Sequence, residues 1–156
     1  MVQKTGLDKI LRDHPFFKEM DDTSLKTLSG CAKNERFKVG EFIAREDEKA
    51  DKFYLIRTGT VALEFDAPGR GPIIIETLHA GEILGWSWLA PPYKWSCDLR
   101  ATELSRLVSL DARCLRKKLD KDHSLGFDLY SRFTSIMARR LRAAHMQLSD
   151  MFGNGV

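Results

Sequence analysis

Long apolar runs are missing from this chain, and charged residues interrupt every hydrophobic stretch short of the ~20 residues a membrane-spanning helix requires. The N-terminal MVQKTGLDKILRDH lacks the apolar core of a signal peptide. An excess of one charge is also missing. Twenty-five Lys and Arg against 22 Asp and Glu leave +3, which predicts a mixed solvated surface rather than a nucleic-acid face. Cysteine is scarce. Cys31, Cys97 and Cys114 are odd in number and without CxxC spacing, which fits reduced thiols in a cytoplasmic protein better than a secreted disulfide framework. The four histidines, His14, His79, His123 and His145, have no metal-ligand spacing among themselves or with the cysteines, so no metal is expected. GxSxG, P-loop and HExxH patterns are absent, and Asp98 and Glu103 read as a surface pair. The chain is therefore read as a non-enzyme.

What is present suffices for a core: 43% of the residues are hydrophobic, and 156 residues fit a single domain spanning 1–156. Residues 1–33 carry helical spacing, with Leu7, Ile10 and Leu11 on one face before HPFF interrupts it. Asp22 or Thr23 then caps a helix carrying Leu25, Leu28 and Cys31, with Gly30 near its end. Over 34–110 the period changes to two. RFKVGEFIA, KFYLIRTGTVALEFD and PIIIETL read as strands, APGRG at 67–71 as a hairpin turn, and RATELSRLVSLD as one further strand. Helix returns over 111–156: a short one in DARCLRKKLDKDH, then a long one over 124–152. Along the latter Leu125, Leu129, Phe133, Ile136 or Met137, Leu141, Ala144, Leu148 and Met151 recur at steps of three and four; this stripe fits a helix packed across its own barrel or, favoured by its length, a homodimer seam over Ser124–Met151. The fold class is α+β, mainly β: an antiparallel jelly-roll barrel with N-terminal helices and a long C-terminal helix.

All three tryptophans fall in GEILGWSWLAPPYKW, Gly81 to Trp95. Such a concentration of indole in a loop-like segment forms either a structural plug or the wall of a pocket.

FIAREDEKADKFYLIRTGTVAL resembles the strand–turn–strand signature of cyclic-nucleotide-binding domains, with Ala50, Asp51, Tyr54, Ile56, Gly59 and Val61 matching. HPFFKEMDDTSLKTLSGCAKNERFKVGEFI resembles the family's N-terminal helices and first strands. GEILG followed by RATELSRLVSLD resembles its phosphate-binding cassette and the strand after it. Asp47 stands where the family usually has a turn glycine, and Asp tolerates the left-handed backbone such a turn needs. The resemblance implies a regulatory domain with its ligand site in the cassette, residues 81–100. Its candidate residues are Gly81, Glu82, Gly85, Trp86, Ser87, Trp88, Trp95, Ser96 and Arg100.

In the family a glutamate accepts the ribose hydroxyl and an arginine pairs with the cyclic phosphate. Aligned on GEILGWSWL the glutamate position falls on Trp86, and counted back from RATEL the arginine position falls on Trp95. Arg100 belongs to the following strand, and Lys94 reads as a solvated side chain. Without both polar anchors, tight cyclic AMP binding is not expected. Two readings stand open. The indoles line an altered pocket for a flatter nucleotide ligand, making the chain a sensor or accessory subunit. Alternatively Trp86 and Trp95 fill the pocket, making it a non-binding module for a partner protein. DNA-binding relatives carry a helix-turn-helix after the long helix, for which no room is expected before Val156. The cluster Arg139, Arg140, Arg142 and His145 reads as a solvated face, and neither nucleic acid nor membrane is expected as a partner.

Overall fold

Apolar side chains recurring at every second position between glycine turns produce short strands in the middle of the chain. In the computed structural model, which describes residues 2–153, these are β1 (Ala32–Phe37), β2 (Phe42–Ala44), β3 (Lys52–Thr58), β4 (Thr60–Ala67), β5 (Gly71–His79), β6 (Ile83–Leu84), β7 (Asp98–Ala101) and β8 (Ser105–Asp111). They pair antiparallel in two four-stranded sheets, ordered β1-β8-β3-β6 and β2-β7-β4-β5. This is the expected jelly-roll arrangement with helices at both ends.

The protein divides into two compact units after Lys118. In the first, α1 (Val2–Asp13) leads into a 3-10 turn at Pro15–Phe17, capped by His14, whose Nδ1 accepts from the Phe16 amide at 3.2 Å. Helix α2 (Asp22–Ser29) is capped by Asp21, one residue before the expected Asp22 or Thr23. Its carboxylate accepts from the Ser24 amide at 3.4 Å, satisfying one of the unpaired first-turn donors. Gly30 closes this helix as expected.

Strand β3 is buried on both faces. Tyr54 and Ile56 point into the roll, packed with Val61, Leu78, Leu84, Leu99 and Leu107. Phe53 faces the other way, edge-on to Phe16 and stacked on Trp88 at 5.4 Å between centroids. The turn before β3 places Asp47 at φ +69, the left-handed conformation expected of it.

RATELSRLVSLD is not one strand. The chain leaves β7 at Ala101, turns with the Thr102 amide donating to Thr60 O at 3.0 Å, and enters the other sheet as β8. Leu104 is exposed, and Leu107, Val108, Ser109 and Leu110 are buried in succession. The mismatch in the alternation marks this change of sheet: β8 lies between β1 and β3 and is covered on both faces.

The expectation of three reduced thiols is overturned as well. Cys31 and Cys114 form a disulfide with their α-carbons 5.6 Å apart, across 83 residues of sequence. The cause is the ladder between β1 and β8. Ala32 pairs with Leu110, so the residue before β1 and the first turn of α3 (Ala112–Lys121) lie beyond the same end of that ladder. No spacing rule on the sequence could show this. Cys97 stays free and buried, its thiol pushed up to about 11 by burial, with the Asp98 charge adding to the effect.

In the second unit, α4 (His123–Gly153) starts where the Asp122 carboxylate accepts from the Leu125 amide at 3.1 Å. Leu125, Leu129 and Phe133 are buried, whereas Met137, Leu141, Met146, Leu148 and Met151 are exposed. Burial thus divides the apolar stripe that the sequence presents as continuous. Among the described residues no helix is long and apolar enough to cross a membrane, and no group of three or more His, Cys, Asp or Glu could hold a metal ion.

Candidate functional site

The cassette begins where β6 pairs with β3, Leu84 opposite Tyr54 and Ile83 opposite Leu55. Gly81 donates to Ile56 O at 3.0 Å, and Ile56 donates to Glu82 O at 3.0 Å, which fixes the entry turn. The Glu82 side chain closes that turn, its Oε2 accepting from the His79 amide at 2.7 Å.

Downstream, the segment before Trp95 is threaded against the β2–β3 turn. Tyr93 O accepts from the Ala50 amide at 2.8 Å, Trp95 donates to Glu48 O at 2.9 Å, and Asp47 donates to Trp95 O at 2.9 Å. These bonds fix the backbone so that the Trp95 indole enters the roll. It is 6% exposed, stacks on Tyr54 at 6.3 Å between centroids, and joins a cluster containing Ala44, Ala50, Ile56, Leu84 and Cys97. Gly85, at φ +95, lies directly under the ring: a Cβ there would come within 2.5 Å of Trp95 Cη2. The glycine is required by its backbone conformation and by this close approach together. Burial raises the Tyr54 hydroxyl well above the usual tyrosine range, with Glu35, Asp51 and Glu48 adding to it, so the ring beneath the indole is neutral.

The three indoles therefore separate. Trp95 fills the interior of the roll. Trp88, 1% exposed, packs outside it against Phe53. Trp86, 40% exposed, lies at the surface just before the 3-10 turn Ser87–Leu89. The pairing of Trp86 with Trp95 in one cavity, expected from the alignment alone, is not what the fold produces. Ser87 is buried and Ser96 is exposed. Arg100 is engaged elsewhere: strand alternation turns Leu99 and Ala101 into the core and Arg100 away from it. Arg100 lies 4.2 Å over the Phe42 ring and 3.4 Å from the buried Glu64 carboxylate.

Sequence reasoning missed Arg116, on α3. Its guanidinium donates to Trp88 O and lies 4.8 Å over the Tyr93 ring, so it clasps the cassette at two points. It is 28 residues from Trp88, and no local pattern signals the contact.

Two antiparallel sheets closed into a roll, with a cassette whose glycines flank the sixth strand, define a domain of the jelly-roll class. The sequence profile of the cyclic nucleotide-binding domain matches residues 34–122, and the chain belongs to that family. It is 36% identical over 60 residues to the cAMP-dependent protein kinase regulatory subunit of Debaryomyces hansenii. That match takes in 38% of this chain and 13% of the relative, so the chain spans only a small part of the kinase subunit. A crystal structure of cyclic nucleotide-binding type from Geobacter metallireducens superposes with a TM-score of 0.77 at 28% identity, covering 86% of this chain and 97% of that one. A cyclic nucleotide-binding domain from Methylobacillus flagellatus superposes with a TM-score of 0.80 at 19% identity, over 96% of this chain and 84% of that one, a likeness of fold.

Proposed function

We propose that this chain is a regulatory module of the cyclic nucleotide-binding fold, not an enzyme, whose roll is occupied by its own indole and which does not hold cyclic AMP tightly. The observation that carries this reading is Trp95, buried on Tyr54 and Gly85; the sequence resemblance aligns this residue with the family's phosphate-binding arginine. A phosphodiester brought there would meet an uncharged cluster instead of a guanidinium fork. A hydrogen bond to a charged group contributes about 1.5–3 kcal/mol, and the ribose anchor is replaced as well. Affinity falls by roughly two to three powers of ten.

A thermal-unfolding series with cyclic AMP, cyclic GMP and adenine nucleotides tests this. A ligand at ~100 times its dissociation constant stabilises by ~2.7 kcal/mol, which moves the midpoint by several degrees. The expected result is a midpoint unmoved by millimolar cyclic AMP, and a shift of several degrees would sink the proposal. One observation supports a second reading. Trp86 is 40% exposed at the cassette surface, and a flat base stacking on its indole would not need to enter the roll. A shift with another nucleotide, abolished in Trp86→Ala, would select that reading.

The exposed part of α4 supports a homodimer seam as the output element. Met137, Leu141, Ala144, Leu148 and Met151 recur at steps of four and three, the repeat of a two-stranded coiled coil. Sedimentation velocity is expected to give a dimer for the native chain and a monomer for Leu141→Glu/Leu148→Glu. A native monomer at micromolar concentration would remove this part of the proposal.

A further inference from the structure

We infer that Cys31 and Cys114 form a redox-reversible crosslink whose state sets how firmly α3, and through Arg116 the cassette, is held. Three observations carry it. First, the bond joins the residue between the Gly30 cap of α2 and the start of β1 to the first turn of α3, next to the end of the β1–β8 ladder. Second, Arg116 lies two residues beyond Cys114 and clasps Trp88 O and the Tyr93 ring, so the helix that the sulfur pins is the helix that holds the cassette loop. Third, the two cysteines differ in burial. Cys31 is buried at 7% exposure, whereas Cys114 is a half-buried residue.

Cys114 is held in place at the start of α3. Its amide donates to the Asp111 carboxylate at 2.8 Å, which fixes Cys114 in the first turn of α3. One turn on, the Lys118 ammonium reaches across to Thr27 O and lies over Gly30, beside Cys31 in sequence. Cys97 is a different case, since burial raises its thiol and removes it from competition.

The oxidant is a low-molecular-weight disulfide such as glutathione disulfide. The Cys114 thiolate attacks one of its sulfurs and expels a glutathione thiolate, leaving a mixed disulfide. The Cys31 thiolate then attacks Sγ of Cys114, the mixed disulfide breaks, and a second glutathione thiolate leaves. The two protons given up by the cysteines pass through water to the two glutathione thiolates, and the reverse sequence restores both thiols.

The test uses the native chain, held in glutathione disulfide or in a phosphine reductant under non-denaturing conditions. A non-reducing peptide map of the oxidised form is expected to contain the peptides of Cys31 and Cys114 joined, and the reduced form to lack that species. Because the bond closes a long loop, the unfolding midpoint is expected to fall by roughly 10 °C on reduction. Hydrogen exchange in residues 88–93 and 112–118 is expected to accelerate in the reduced form. Cys97→Ser should retain all three responses, and Cys114→Ser should show none of them. The inference is overturned if the joined peptide does not form, if the bond resists the reductant in the folded protein, or if residues 88–93 exchange equally in both forms.

Discussion

Trp95→Ala is expected to lower the stability of the domain by about 3–5 kcal/mol, the cost of deleting a buried aromatic whose surroundings cannot collapse. The surroundings here have little freedom. The Trp95 backbone is held to Glu48 and Asp47 by hydrogen bonds, Gly85 is fixed at φ +95, and Tyr54 lies in a strand paired on both sides. A chemical denaturation curve measures the loss. A midpoint shift equivalent to less than about 1 kcal/mol would mean that the indole lines an open pocket, because a side chain with little packing is cheap to remove. The proposed function would then fail with it, and the test is independent of any ligand.

The second large effect comes from the other side of the same contact. Gly85→Ala is expected to cost about 2–5 kcal/mol, from two separable causes. A Cβ at φ +95 is strained wherever it points, which accounts for roughly 1–2 kcal/mol. Its approach to within 2.5 Å of the Trp95 ring adds an overpacking term of about 1–3 kcal/mol, because a stacked indole cannot swing aside as a flexible chain could. The double variant Gly85→Ala/Trp95→Ala separates them. With the ring gone the overpacking term vanishes, so the two single losses should exceed the double loss by about the size of that term. Strict additivity would show that the ring and the glycine do not meet.

How much of this was legible beforehand follows from the range of each signal. The strands were readable because burial on one face imposes a period of two, and APGRG names its own turn. The long helix was readable for a similar reason, although its stripe could not say which apolar residues find partners within the chain. Strand β8 was harder: a strand covered on both faces loses its alternation, so its start at Ser105 was concealed within a longer apolar segment. In the site, alignment placed Trp95 at the arginine position and the fold carries that ring into the roll. The same alignment put Trp86 beside it, but the direction of a side chain at the edge of a 3-10 turn is set by backbone geometry, and Trp86 faces water. The contacts of Arg116 and Cys114 join elements far apart in the chain, and only the sheet order brings them into range.

The bond between Cys31 and Cys114 has a consequence for the covalent topology of the molecule. Every strand, from Ala32 to Asp111, lies between the two sulfurs, so the oxidised roll is a closed ring with α1 and α2 as one tail and most of α3 and all of α4 as the other. Severing the backbone once, for instance in the exposed Pro68–Arg70 tip of the β4–β5 hairpin, opens that ring without releasing a fragment. Both halves remain one molecule until a reductant separates them. The roll can therefore be opened at a loop of choice without its two tails parting.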